Sequence, residues 1–296
     1  MYALRVNTEG KDSYNMKKSA LFLSVFCVWA CTGCFKHREA PDRPVTANTL
    51  AEAVEKRETV ECVNLAGQAV TALPRELASM PKLSRLWLRD AQGLTSLAGL
   101  SDLKALKRLD LSGTKVSAIP AEVFALAGLE HLYLADNGIA KLPPAIGDMA
   151  ALTYLNLERN LLAELPPEMG RVTGLRWLRL NGNKLTALPP DLAKQKNLQR
   201  VYLRQNQLKT VPECLKGLPL LEDISLSGNP LAAVPDWMTD FPKLRQVDLD
   251  GCPVAKLPDK LDGWKKLQVL SLVRCPIPDT EKARIRAALP KTHVAF

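Results

Sequence analysis

A beat of 23 residues governs this chain. Its clearest copy is residues 129–151, LEHLYLADNGIAKLPPAIGDMAA. Leucines stand at the first, fourth and sixth places, Asn at the ninth and Ile at the eleventh. Leu-Pro fills the fourteenth and fifteenth, and Ile and Met take the eighteenth and twenty-first. The same frame starts at Val60, Leu83, Leu106, Leu152, Leu175, Leu198, Leu221, Leu244 and Leu267. All ten copies have Leu in sixth place, from Leu65 to Leu272, and an aliphatic residue in fourth, from Val63 to Leu270. One such copy is too short to bury its own leucines, so the copies must stack, each on its neighbours. Fourth and sixth places then point to one side of a short strand, and third, fifth and seventh to the other. Parallel strands about 4.8 Å apart would lay the coils into a sheet of roughly 50 Å.

The remaining places have physical readings of their own. Asn at ninth place (Asn137, Asn160, Asn183, Asn206, Asn229) falls where the chain turns inward after the strand. A side-chain amide there can satisfy backbone groups that no strand reaches. The Leu-Pro step predicts an extended or short helical return, because proline has no N–H for regular pairing. The whole pattern, L-x-x-L-x-L-x-x-N-x-L-x-x-L-P, resembles the leucine-rich repeat family. That resemblance implies an α/β solenoid: a right-handed horseshoe of about ten coils, a parallel β-sheet on its concave face, and short capping helices at both ends. It implies no particular activity, since function resides in sites grafted on a fold.

Three segments follow from the text: residues 1–34, an extension with an export signal; 35–48, a flexible tether; and 49–296, the repeat domain. Met16 opens MKKSALFLSVFCVWACTGCF, two lysines before an apolar run at 20–30. The run is too short to cross a bilayer as a helix and has the charge-then-apolar layout of an export signal. It resembles a bacterial lipoprotein signal, in which a small residue precedes a cysteine that becomes lipidated. The resemblance favours Cys34, which follows Thr32 and Gly33, although Cys31 stands where an aliphatic residue belongs. Cys31 itself follows Val28 and Ala30, with a bulky Trp29 between. Cys31 or Cys34, a start at Met1 or Met16, and an uncleaved hydrophobic anchor or buried helix all stay open. Phe35 is not the Asp that marks inner-membrane retention in some bacteria, so the resemblance implies an exported, membrane-anchored envelope protein of the outer membrane.

Within the domain, Thr49-Leu-Ala-Glu52 has capping-box spacing, and Leu50, Ala53 and Val54 share one helical face. A helix over 49–57 would cover the first coil, as end coils require. The repeats run over 60–277. In the second, Ala91 replaces Asn and the leucines slip by one to Leu94, Leu97, Leu100 and Leu103 without Leu-Pro, which predicts a bulge. The cap at 278–296 opens with Pro278-Asp279-Thr280 before EKARIRAAL, a helix with Ile285 and Leu289 inward. Its tail alternates, with Val294 and Phe296 on one side, able to pair with the last strand and blunt a sheet edge.

The chain has seven cysteines without paired C-x-x-C motifs or a His cluster, so no zinc site, other metal or cofactor is expected. Cys252 and Cys275 take ninth place in adjacent coils, about 5 Å apart and within disulfide range in an oxidising compartment. The family resemblance instead implies small buried side chains there, and both readings stand.

The solvent-facing places spell out a surface. Third place reads Cys62, Arg85, Arg108, His131, Tyr154, Trp177, Arg200, Asp223, Gln246 and Val269. Fifth place reads Asn64, Trp87, Asp110, Tyr133, Asn156, Arg179, Tyr202, Ser225, Asp248 and Ser271, and seventh adds Arg89, Glu158, Arg204 and Asp250. Clustered aromatic residues and arginines are what binding hot spots look like. The candidate site is therefore Arg85, Trp87, Arg89, Arg108, His131, Tyr133, Tyr154, Trp177, Arg179, Arg200, Tyr202 and Arg204. Six arginines face Asp110 and Glu158 over coils two to seven, whereas Asp223, Asp248 and Asp250 occupy the later coils. A protein partner with an acidic surface fits that division, bound by a monomeric, lipid-anchored module.

Other classes fare worse. A net charge of +9 suits nucleic acid, anionic membrane or acidic partners without choosing among them. Export removes nucleic acid, although arginine with aromatic residues does bind single strands. An anionic glycan or lipid headgroup is a variant of the same surface, and a purely structural envelope role is a third reading. Catalysis is not expected: His131 near Asp110 could pair a base with its orienting acid, but no serine or cysteine nucleophile stands beside them.

Overall fold

The computed structural model describes residues 44–91 and 93–296. The export signal, Cys31, Cys34, either start and residues 35–43 of the tether lie outside them.

Twelve short strands form one parallel sheet in sequence order: β1 (Thr46–Ala47), β2 (Cys62–Asn64), β3 (Arg85–Trp87), β4 (Arg108–Asp110), β5 (His131–Tyr133), β6 (Tyr154–Asn156), β7 (Trp177–Arg179), β8 (Arg200–Tyr202), β9 (Asp223–Ser225), β10 (Gln246–Asp248), β11 (Val269–Ser271) and β12 (His293–Ala295). From β2 to β11 the register advances by one full beat at each step, so Leu155 lies opposite Leu178 and Leu178 opposite Val201. The unit Pro44–Phe296 is thus a solenoid whose leucines form a single continuous core, with fourth- and sixth-place residues such as Leu155, Leu157, Leu178 and Leu180 wholly buried. Among the described residues no helix is long and apolar enough to cross a membrane.

Proline governs the return path. Pro143, Pro166 and Pro189, with φ between −65° and −71°, each immediately precede a single 3-10 turn: Pro144–Asp148, Pro167–Arg171 and Pro190–Lys194. Proline holds φ where such a turn begins and gives up an N–H that would have no partner there. A short α-helix, α2 (Ala121–Phe124), takes the same role after Pro120. The second coil departs from this in a narrower way than its leucines suggest. The bridge from Ala72 to Ser96 and the bond from the Thr95 N–H to the Thr71 carbonyl are offset by one residue from the strand register. Leu100 and Leu103, however, are back in frame, since they hold the eighteenth and twenty-first places that Leu77 and Met80 hold in the first coil. Gly99, with a left-handed φ of +86°, lies between the two registers and leads into the turn Leu100–Asp102. The bulge is therefore confined to Leu94 and Leu97, and all four leucines are buried.

Beneath the sheet's end runs a ladder of amides. Asn183 donates to the carbonyls of Leu157 (2.9 Å) and Leu180 (3.0 Å) and accepts from the Leu162 N–H (3.0 Å). Asn137, Asn160, Asn206 and Asn229 repeat the arrangement one coil apart. Cys252 and Cys275 carry free thiols that donate to the carbonyls of Leu226 (3.3 Å) and Leu249 (3.1 Å). They act as small donors, Cys252 buried and Cys275 half-buried, without the acceptor that asparagine offers. Just before each of these residues the backbone turns left-handed. Gly67, Asp90, Gly113, Asp136, Arg159, Gly182, Gln205, Gly228, Gly251 and Arg274 all have φ between 51° and 71°.

The ends are capped. Helix α1 (Leu50–Glu55) starts at Thr49, whose hydroxyl accepts from the Glu52 N–H (3.1 Å), while the Glu52 carboxylate accepts from the Asn48 N–H (2.8 Å). Only Ala53 is buried; Val54 faces outward at 42% exposure, contrary to the shared face expected of it. So short a helix touches the coil along a single line, which leaves Val54 beyond it. Residues 46–47, placed in the tether by composition, instead form β1, with Ala47 opposite Val63 and completely buried. At the other end α3 (Asp279–Ala288) buries Ile285, and Leu289 follows it into the core. Glu281 accepts from the Leu257 N–H (2.9 Å), and Arg284 donates to the Pro258 and Asp259 carbonyls (3.0 Å each). The tail pairs as β12, with Val294 opposite Leu270.

Candidate functional site

Strand alternation sets the candidate side chains on the face opposite the leucines. Arg85, Trp87, Arg108, His131, Tyr133, Tyr154, Trp177, Arg179, Arg200 and Tyr202 are all half-buried there, and Arg89 and Arg204 stand exposed just past the strand ends. Cys62 shares the face but is buried, with Thr46 of β1 directly opposite it.

The rings form a connected ladder across β3 to β7. Ring centres lie 5.8 Å apart for Trp87 and Tyr133, 4.8 Å for Tyr133 and Tyr154, and 5.6 Å for Tyr154 and Trp177. His131 stacks on Tyr154 at 5.6 Å with planes 17° apart. From Tyr133 to Trp177 these separations follow from the strand spacing, which brings rings on successive strands within contact distance, while Trp87 reaches Tyr133 across the small Asp110 of β4. Mutual cover has electrostatic consequences. Burial, with the neighbouring Tyr154 hydroxyl, pushes the Tyr133 phenol up to about 12. Burial likewise raises Tyr154 and Tyr202, so all three stay neutral hydrogen-bond donors at physiological pH. Burial, and then Arg108, push His131 below the usual histidine range. Its Nδ1 is buried with no partner among the described residues, while Asp110 turns back to accept from the Ser112 N–H (2.8 Å). The base-and-acid pair of His131 with Asp110 is therefore not made.

Charge is distributed differently from the simple count of arginines. Arg179 lies 2.9 Å from the Glu158 carboxylate, and its guanidinium sits 5.3 Å from the Tyr202 ring centre. Arg200 lies 2.9 Å from Asp223 and 4.4 Å from the Trp177 ring centre. Each is a flat, charge-compensated plate that extends the aromatic surface. Arg89 makes an exposed pair with Asp90 (3.3 Å), a contact worth about 0–1 kcal/mol. Arg85, Arg108 and Arg204 alone among the site's arginines have no carboxylate within 4.0 Å among the described residues. The expected field of six arginines thus reduces to these three cations. The carboxylates of the later coils are equally committed. Asp248 accepts from the Ser225 hydroxyl (2.7 Å) and Asp250 N–H (3.0 Å), and Asp250 accepts from the Val273 N–H (2.9 Å). Asn64 and Asn156, like Asp110 and Asp248 at fifth place, close the strand end by accepting from the N–H two residues on. They are strand-end caps first and surface second.

Two residues that the sequence did not single out as site residues hold the arrangement. Glu158 is 5% exposed and binds both Arg179 and the Asn181 amide (2.5 Å). Asn181 also accepts from the Arg204 N–H (2.7 Å). A glutamate at seventh place, where coils two and seven carry arginine, was the available signal.

Comparison with known proteins agrees with this architecture. Residues 104–162 and 173–231 match the family model described as leucine rich repeat. A leucine-rich repeat protein of Leptospira interrogans superposes with a TM-score of 0.62 at 26% identity, over 85% of this chain and 75% of that one. The leucine-rich repeat ectodomain of the plant membrane receptor kinase GASSHO1/SCHENGEN3 from Arabidopsis thaliana, in complex with Casparian strip integrity factor 2, gives 0.55 at 24% identity, over 79% of this chain and 35% of that one. The plant peptide hormone receptor RGFR1 in complex with RGF2 gives 0.54 at 22% identity, over 79% of this chain and 47% of that one. At the latter two identities the likeness is one of fold. Comparison with curated proteins finds no match.

Proposed function

Since this is a leucine-rich repeat protein, we propose that it is a binding module, which recognises a protein partner across the aromatic and arginine face of its parallel sheet. The observation that carries the reading is the ladder itself: Trp87, Tyr133, Tyr154 and Trp177 in contact, continued by Arg200 and Tyr202, on the solvent side of the sheet. Rings there contribute nothing to the leucine core, and aromatic residues with arginine are the side chains that concentrate binding energy at interfaces. Packing of ring on ring restricts the side-chain rotamers in advance, so less conformational entropy is lost when a partner settles on them. The plant receptor ectodomains that share the fold are bound to Casparian strip integrity factor 2 and to RGF2, which supports a polypeptide as the ligand.

The proposal extends to location: an exported, lipid-anchored protein of the bacterial envelope, held at Cys34. That part rests on the Met16–Cys34 text alone. Mass spectrometry of the purified membrane form tests it, and an intact N-terminus without acyl chains ends it. The recognition part is tested by replacing Tyr154, Trp177 and Tyr202 together by alanine. Each side chain is half-buried above the core, so the fold is retained while the surface is removed. Crosslinking from this face in living cells should lose its partner in the variant; an unchanged crosslinked product rejects the surface.

A further inference from the structure

Three adjacent strands carry a basic residue at the same register position: Arg85 on β3, opposite Arg108 on β4, opposite His131 on β5. Like charges directly opposite one another in a sheet are destabilising, and the fold does nothing to relieve this pair. Elsewhere on the face, Arg179 and Arg200 each have a carboxylate at 2.9 Å. On this part of the face three carboxylates are committed to other groups. Asp90 holds Arg89, Asp110 holds the Ser112 N–H, and Glu130 holds Lys107 (3.2 Å). The third member, His131, has a buried and unpartnered Nδ1. It is faced by Arg108 from β4, Tyr154 from β6, Tyr133 from its own strand and Glu130 just before that strand. The two guanidiniums are half-buried cations with no carboxylate within 4.0 Å among the described residues.

We infer that Arg85, Arg108 and His131 form an anion subsite that anchors the partner through an acidic segment of its polypeptide. This rests on the reading of the face as a protein-binding surface and specifies where the partner is gripped. Guanidinium groups side by side suit carboxylates, which they can bind bidentately. The charge pattern along the ladder selects a polypeptide. A polyanion such as a sulfated glycan needs cations along its whole length, whereas from Tyr133 to Tyr202 the arginines are already compensated by Glu158 and Asp223. The complementary occupant is anionic at one end and apolar or aromatic over the rest, so carboxylates sit on the arginines and rings run on over Tyr154 and Trp177.

The test uses the full chain and two labelled synthetic peptides, Glu-Glu-Tyr-Pro-Tyr-Pro-Tyr and its Gln-Gln counterpart, followed by fluorescence anisotropy at low salt. The acidic peptide binds about tenfold tighter than the neutral one, and Arg85→Gln with Arg108→Gln removes that difference. Lys141→Gln with Lys209→Gln, exposed cations away from the sheet face, changes net charge equally and leaves it intact. The His131 imidazole, followed by NMR, titrates at higher pH with the acidic peptide bound, because the ligand's negative charge favours the imidazolium. Arg108→Lys keeps the charge and loses the fork, and gives an intermediate preference should the double variant melt early. A preference that survives in a folded Arg85→Gln/Arg108→Gln variant overturns the subsite. Tighter binding of heparin than of the acidic peptide, lost in the same variant, overturns the polypeptide assignment. If the aromatic triple variant loses the peptide while the arginine variant does not, the face stands and the anchor falls; if neither loses it, both fall.

Discussion

Replacing Asn183 by alanine leaves one buried backbone group without a partner and thins the bonding of two more. The Leu162 N–H loses its acceptor at 3.0 Å, whereas the Leu157 and Leu180 carbonyls lose donors at 2.9 and 3.0 Å but keep those of Asn160 (3.0 Å) and Asn206 (2.9 Å). Asn183 is 7% exposed, so bulk water does not replace it. A buried orphan costs about 1–3 kcal/mol, so the one orphaned N–H gives a loss of about 2 kcal/mol. With a urea m-value of about 3 kcal/mol/M, the midpoint moves down by about 0.7 M. Hydrogen exchange should locate the damage, with the Leu162 amide and its neighbours in the two adjoining coils losing protection most. Asn197→Ala is the matched control: its amide donates to the Thr173 carbonyl at 2.8 Å from an exposed position, and water takes its place at a cost of under about 0.5 kcal/mol. A shift for Asn183→Ala no larger than the control's would refute the account of ninth-place asparagine as a buried three-way clasp.

Two further outcomes follow from other parts of the molecule. At the left-handed eighth place, Gly113→Ala should cost at least about 1–2 kcal/mol, since its Cβ would stand 1.9 Å from an Asp90 carboxylate oxygen; Gln205→Gly should instead gain about 0.5 kcal/mol by relieving φ of +54°. Thermal melts that move the two variants in the same direction would contradict this. The C-terminal cap should loosen in acid. The Arg284 guanidinium holds the Glu281 carboxyl below its ordinary range, so its stabilisation is full above the unfolded-state value and is lost as pH falls through the folded one. The protection factor of the Leu257 amide, exchange relative to the free peptide at the same pH, should fall below pH about 4 in the wild type, and in Glu281→Gln it should show no such dependence.

The repeat made the core readable because burial at fourth and sixth place depends only on strand alternation and a constant beat. The same logic put the rings on the open face. What it could not supply was pairing. Arg179 reaches Glu158 and Arg200 reaches Asp223 because side-chain rotamers cross between strands, and a column of residue types holds no rotamers. The left-handed eighth place was hidden for a related reason: Gly, Asp, Arg and Gln all occupy it, so no composition marks it. Residues 46–47 looked like tether since so short a strand has no period of its own, and it is the pairing of Ala47 with Val63 that makes it one.

The clasping asparagines occupy five consecutive coils, from Asn137 to Asn229, and stop there. Toward one end Thr114, Ala91 and Gln68 stand in their place, and toward the other the thiols of Cys252 and Cys275. In a chain where each coil leans only on its neighbours, cohesion therefore peaks in the middle and thermal fraying begins at the two tips. Tyr133, Tyr154, Trp177 and Tyr202 all sit over that best-knit stretch. A visitor landing on them meets a floor that keeps its spacing while the outermost turns open and close.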